Sequence, residues 1–276
     1  MGVVIKLVCK YSNGERLSRN IDFYLLSYGV CIRIRYNNVD VLQYLEPYFP
    51  PGYEVSSKSL ADVEYSFINE GDYYLLLRNS TVLVQTADLE EALATFDSDL
   101  RIQIAVSTAE KLFVHAGVVG WHSKAIVIPG RSFSGKSTLV EALIKAGAIY
   151  YSDEYAVLDC DGMVHPYLKP LSLRQQDGSR VKSCPVNAHG TWMKPEPIPL
   201  AMVVHTEYQP GEQWNPKQIS SGVGLLSMLD NTVVARLNPD FALKTLTKAI
   251  ERAHCIEGQR GESEETANAL LSLVHY

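Results

Sequence analysis

Two glycines, a lysine and a hydroxyl at one spacing carry the clearest chemistry in this chain. They lie in Gly130-Arg131-Ser132-Phe133-Ser134-Gly135-Lys136-Ser137. The pattern G-x-x-x-x-G-K-S lets consecutive backbone N–H groups curl around an anion, while the lysine reaches outer phosphates and the serine ligates Mg²⁺. The expected nucleotide contacts are therefore Gly130, Ser132, Phe133, Ser134, Gly135, Lys136, Ser137 and Thr138. Arg131 and Phe133 occupy variable positions, which either touch nucleotide or face solvent. The bland alternative is a Gly-rich turn that only joins two elements.

The flanking elements argue against that alternative. Residues 125–128 (Ala-Ile-Val-Ile) form a short apolar run of strand type directly before the loop. Residues 138–146 follow with apolar side chains at 139, 140, 143 and 144, a helical spacing, and Gly147 stands as the stop. Strand, loop and helix in that order aim a helix N-terminus at phosphate.

Upstream, 112–119 read as a strand that returns through Gly120-Trp121-His122-Ser123-Lys124 into the strand before the loop. Pairing Val119 with Ala125 would set His115 opposite Pro129, next to the first glycine of the loop. Downstream, 148–154 form a second strand. After a crossover helix it should run parallel to the first and end on the same sheet edge as the loop. Asp153, 17 residues beyond Lys136, then faces the outer phosphate as a candidate base. Residues 155–159 also end an apolar run on an acid, but Cys160-Asp161-Gly162 reads as a turn into 163–167. Asp159 and Asp161 are accordingly read as hairpin residues.

The expected fold class is α/β. An accessory α+β domain over 1–108 precedes a domain over 109–276 that carries the phosphate loop on a mixed sheet. In the first part, 31–36, 73–77 and 81–85 read as strands, the last two around an Asn79-Ser80 turn. A short helix is expected over 39–47, and a long one from an Asp88 cap to about Lys111. The tyrosines here lack interleaved basic residues, so they are read as core rather than as a base-stacking surface. Later, 184–200 is expected to be irregular, 200–206 a buried strand, and 219–229, 241–252 and 262–274 helices.

A formal net charge of −6 argues against nucleic acid and against an anionic membrane surface as partners. No apolar stretch approaches the ~20 residues of a membrane span. Residues 1–10 do not read as a signal peptide, and no Ser or Thr follows Gly2 where myristoylation needs one. Five scattered cysteines without a C-x-x-C pair suit reduced thiols in a cytoplasmic setting.

Taken together, several residues resemble the HPr kinase family. These are His115, 21 residues ahead of Lys136, the loop, the acids Asp153 and Glu154, and Arg174 in Pro170-Leu171-Ser172-Leu173-Arg174. The resemblance covers about 112–175, thins toward the C-terminus and leaves 1–108 aside. It implies an α/β kinase domain related to phosphoenolpyruvate carboxykinase, which moves the γ-phosphate of ATP to a serine hydroxyl. By motif position Asp153 would be the general base with His115 beside it, and Lys136 and Ser137 would hold phosphate and Mg²⁺. Glu154 would be a second metal ligand. Arg174 would be a phosphate clamp, or else a surface ion-pair residue. The chain departs from the family at Ser172, where that family carries a glutamate, and at Gln175-Gln176-Asp177-Gly178, which replaces a tight glycine turn. HPr itself and the reverse, dephosphorylating reaction are therefore not expected. The expected ligands are ATP and Mg²⁺. The expected acceptor is a protein or peptide, a ribosomally made peptide being one case, and homo-oligomerisation stays open. Two alternatives remain, a small-molecule hydroxyl kinase and a nucleotide-dependent switch that transfers nothing.

Overall fold

The computed structural model describes residues 20–38, 40–57, 60–131, 134–174, 180–183 and 195–274, apart from the side chains of 172–174 and 180–183. The first part is a six-stranded sheet: β1 (Ile21–Ser27), β2 (Val30–Tyr36), β3 (Glu54–Val55), β4 (Val63–Asn69), β5 (Tyr74–Arg78) and β6 (Thr81–Thr86), in the order β3-β1-β2-β4-β5-β6. Alternate residues such as Leu25, Ile34, Tyr65 and Leu76 are buried, as period-two patterning requires. After β2 comes the short helix α1 (Asp40–Leu45). Against the buried face lies α2 (Leu89–Ser107), whose Leu93, Phe96, Leu100 and Ile104 recur at helical spacing. Asp88 caps α2 as expected, accepting from the Glu90 N–H at 2.9 Å. The helix stops at Ser107 rather than near Lys111. Thr108 turns extended there, and its hydroxyl donates to the Tyr28 carbonyl at 2.9 Å.

The second part is an eight-stranded mixed sheet. Its strands are β7 (Leu112–Trp121), β8 (Lys124–Pro129), β9 (Ile149–Ser152), β10 (Tyr155–Leu158), β11 (Met163–His165), β14 (Ile198–Tyr208), β15 (Lys217–Gln218) and β16 (His254–Arg260). A separate hairpin pairs β12 (Leu171–Arg174) with β13 (Arg180–Ser183). The strands β8, β14 and β16 run parallel, and β7 runs antiparallel to β8 on its other side. Four helices join these strands: α3 (Lys136–Lys145), α4 (Ser221–Asp230), α5 (Pro239–Ile250) and α6 (Ser263–Leu273). Met228, Ala242 and Leu246 of α4 and α5 pack on one face of the sheet, against Val114, Ala116 and Val118. On the opposite face Leu139, Leu143, Ala267 and Leu270 of α3 and α6 pack against Val119, Ile126 and Ile128.

The two parts share a core. Phe113 of β7, with Tyr155, Val157 and Tyr167, is buried in one cluster with Phe96 and Ile104 of α2. Tyr28 from the β1–β2 turn meets Phe113 edge-on, ring centroids 5.2 Å apart. Among the described residues no helix is long and apolar enough to cross a membrane.

The β7–β8 hairpin corrects one expectation. Both strands extend until only His122 and Ser123 remain between them, at φ 47° and 58°. A two-residue turn with both residues left-handed matches strand twist, and it shifts the pairing by one, to Gly120 with Ala125. His115 therefore falls opposite Gly130, not Pro129, and its carbonyl accepts from the Gly130 N–H at 3.3 Å.

Candidate functional site

The loop between β8 and α3 sits where strand, glycine and helix meet. Gly135, immediately before α3, has φ 81°, a left-handed conformation that glycine adopts without strain. The next residue, Lys136, is only 7 % exposed although charged. Its Nζ donates to the Arg131 carbonyl at 2.6 Å, folded back over the loop. Burial pulls the Lys136 pKa down to about 8, against the opposing pull of Asp153. The Ser134 hydroxyl is buried with no hydrogen-bond partner among the described residues, while Thr138 is exposed. Ser132 and Phe133 lie outside the described residues.

Asp153 and Glu154 sit in the break between β9 and β10. The pairings on either side, Val118 with Ser152 and His115 with Tyr155, are in phase. Asp153 and Glu154 thus lie across from Gly117 and Ala116, and the Glu154 carbonyl accepts from the Ala116 N–H at 3.1 Å. The Ser152 hydroxyl forces the break, accepting from the Glu154 and Tyr155 N–H groups at 3.0 and 2.9 Å. The break presents the Asp153 carboxylate to the start of α3, where Ser137 Oγ donates to it at 3.2 Å. The β9 edge therefore ends beside the loop, as its direction predicted. Tyr150 holds the other oxygen, its hydroxyl 3.0 Å from Asp153 Oδ1 and 2.7 Å from the Lys169 carbonyl. The single phenolic proton serves one acceptor at a time.

A close approach makes this juxtaposition possible. A Cβ on Gly117 would lie 2.6 Å from Val140 Cγ2 and 3.8 Å from Lys136 Cβ. Only glycine lets α3 settle so low on β7.

His115 shares the β7 face of Gly117, two residues away. Its pKa falls to about 4, first through burial and then through the Lys136 charge; Arg101 adds to this, and a bond with the Gly130 backbone opposes it. The ring is therefore neutral near pH 7, and the charges that set its protonation are those of Lys136 and Arg101.

Arg101 is a residue that sequence patterning did not single out. It projects from α2, bonds Asp97 one helical turn away at 3.3 Å, and ion-pairs Glu154. Lys169 pairs with the same Asp97. The carboxylate of Glu154, read from sequence as a metal ligand, is thus engaged by the first part of the chain. Among the described residues no group of three or more His, Cys, Asp or Glu side chains is placed to hold a metal ion. Arg174 ends β12, and its side chain is outside the description. Asp159 behaves as the expected hairpin residue, accepting from the Asp161 and Met163 N–H groups at 3.1 and 3.0 Å, with His165 2.6 Å away.

The second unanticipated residue is Arg260, at the end of β16. Its guanidinium lies against the loop and donates to the Gly135 carbonyl at 2.8 Å. The only signal was the gap between two helical periods at 253–261, with Cys255-Ile256 as a short apolar core. No protein-family model matches this chain, and no curated protein matches it.

Proposed function

We propose that this protein is a phosphotransferase that uses Mg·ATP to phosphorylate a hydroxyl, that of a serine in a protein or peptide. One observation carries the reading: the Asp153 carboxylate meets Ser137 at 3.2 Å, where a glycine loop enters a helix beside a buried lysine. The residues suit a polyphosphate. The desolvated Lys136 amine and the unpartnered Ser134 hydroxyl are groups that an anionic, hydrogen-bonding ligand would satisfy.

Mg·ATP would supply a transferable γ-phosphoryl group already partly neutralised by the metal. The backbone N–H groups of 134–138 and the Lys136 ammonium would bind its phosphates, and Ser137 would hold Mg²⁺. Asp153, within hydrogen-bond reach of that position, would orient the acceptor hydroxyl and take its proton at one carboxylate oxygen. Little else is needed, because phosphoryl transfer depends mainly on positioning and charge neutralisation.

The choice of ATP and of a serine acceptor rests on the resemblance in 112–175, and Ser172 counsels against HPr as that acceptor. A ribosomally made peptide fits the same reading, as does a cytoplasmic setting for a chain of scattered thiols. A switch without transfer would need the loop and Mg²⁺ but no base, so Asp153 at the helix start favours an enzyme over it.

The test is Asp153→Asn, assayed for Mg·ATP affinity by calorimetry and for phosphate transfer to candidate acceptors by mass spectrometry. Loss of the base should slow transfer by roughly 10²–10⁴-fold with affinity near wild type. If Asp153 binds Mg²⁺ directly, affinity should fall as well, and excess Mg²⁺ should partly restore the rate. Undiminished transfer would refute the role assigned to Asp153.

A further inference from the structure

Arg260 is among the most deeply buried side chains, 1 % exposed, yet among the described residues it has no carboxylate partner at bonding distance. Its N–H groups donate to neutral oxygens only: the Gly135 carbonyl at 2.8 Å, Ser263 Oγ at 3.1 Å and the Gly261 carbonyl at 3.5 Å. Among the described residues Nε finds no partner. The nearest acid that acts on it, Glu262, is exposed to solvent. A guanidinium in that position is costly, because the water it gave up is not replaced by a counter-charge.

The surroundings add to the imbalance. The helices α3 and α6 both start near this guanidinium, α3 behind Gly135 with no acid in its first turn, and α6 at Ser263, where the exposed Glu262, Glu264 and Glu265 offset the helix end. The buried Lys136 follows Gly135 directly. The Tyr208 ring lies 5.6 Å from the guanidinium carbon and shields it from solvent. Nearby polar atoms are unpaired too. The buried hydroxyls of Ser134 and Thr206 have no partners among the described residues. Thr206, paired with Gly258, comes level with Gly130 three residues beyond the Val203–Val127 pair. A purely structural clamp would not require positive charge to accumulate around unsatisfied donors. An anion bound here would balance the charge and accept from these donors.

We propose that Arg260 is a phosphate-positioning residue, which fixes the Gly135 carbonyl and lends its charge to a di- or triphosphate seated against residues 134–137 at the start of α3. The proposal rests on the phosphate-loop reading above, and goes further by assigning part of the anion's affinity to a residue 124 positions after the loop lysine. It also gives Gly135 a second reason to be glycine, since a Cβ there would lie 2.4 Å from an Arg260 nitrogen.

Arg260→Met keeps the stem and removes the charge, while Arg260→Lys keeps the charge and removes the planar fork. Inorganic pyrophosphate and Mg·ATP binding are measured by calorimetry, and the ligand-free Tm by scanning calorimetry. The expected result for Arg260→Met is a ligand-free Tm at or above wild type and pyrophosphate binding weaker by roughly 10- to 100-fold. Arg260→Lys should recover most of that affinity. Pyrophosphate affinity within threefold of wild type in Arg260→Met overturns the proposal. So does Arg260→Lys binding as weakly as Arg260→Met, an outcome expected of a geometric clamp. If Arg260→Met does not fold, the Lys variant alone decides, by keeping or losing the affinity. Wild-type protein that binds neither probe, or binds both unchanged after Lys136→Ala, defeats the phosphate-loop reading itself. Normal binding lost in Lys136→Ala but kept in Arg260→Met defeats only the role of Arg260.

Discussion

Replacing Gly117 by alanine probes the contact that brings the loop helix onto the sheet edge beside Asp153. The added Cβ would sit 2.6 Å from Val140 Cγ2, about 0.9–1.4 Å inside the ~3.5–4.0 Å spacing of carbon atoms in contact. Both positions are in the core, so the strain must go into moving α3 or distorting β7. Overpacking of this kind costs about 1–3 kcal/mol. At roughly 2–4 °C per kcal/mol for a domain of 150–250 residues, the melting temperature should fall by about 2–12 °C. Lifting α3 also separates Ser137 from Asp153, so Mg·ATP affinity should drop in the same variant. Val140→Ala removes the clashing methyl and by itself costs about 1–3 kcal/mol in lost burial and cavity. In the double variant the new methyl of residue 117 occupies part of the vacated space. The two costs should therefore fall short of additivity by at least ~1 kcal/mol, with nucleotide affinity partly restored. Urea unfolding and calorimetry on the four proteins measure both effects. Additivity within about 0.5 kcal/mol would show that Gly117 does not set the seat of α3.

Two further outcomes follow from the charges around the site. His115 binds a proton near pH 4 folded and near 6.5 unfolded, so the unfolded chain takes up more protons in between. Its contribution to stability is complete above pH 6.5 and is lost as pH falls through 4. His115→Gln should flatten the acid limb of the stability curve by about 1–3 kcal/mol, a range discounted for partial exposure; an unchanged limb in urea titrations would contradict this. Glu154→Gln should leave Mg·ATP affinity within about threefold of wild type, because Arg101 engages that carboxylate; a tenfold loss, partly reversed by excess Mg²⁺, would instead make Glu154 a metal ligand.

Local signals carried the loop and its flanks. The run at 125–128, the helical spacing after Lys136 and the Gly147 stop suffice because short-range sterics dictate each of them. The Asn79-Ser80 turn and the Asp88 cap were legible for the same reason. The β7–β8 register was not. His122-Ser123 lacks the Asn-Gly signature of a tight turn, so a longer connection was the natural reading, and one residue of slip followed. Neither Arg101 nor Arg260 could be found from spacing. One reaches the site from a helix in the first part of the chain, the other from β16, whose residues His254–Arg260 show little alternation. What places them is tertiary: the parallel pairing of β14 with β16, and the packing of α2 beside Glu154.

The strand β7 enters three cores at once, with Phe113 among the rings of the first part, Val114, Ala116 and Val118 beneath α4 and α5, and Val119 beneath the loop helix. That sharing limits how the chain can be recombined. Exchanging the first part for another module would leave Phe113, Tyr155, Val157 and Tyr167 as an apolar scar, and would remove the arginine that engages Glu154. A replacement would have to bring matching rings and a matching cation in the same step.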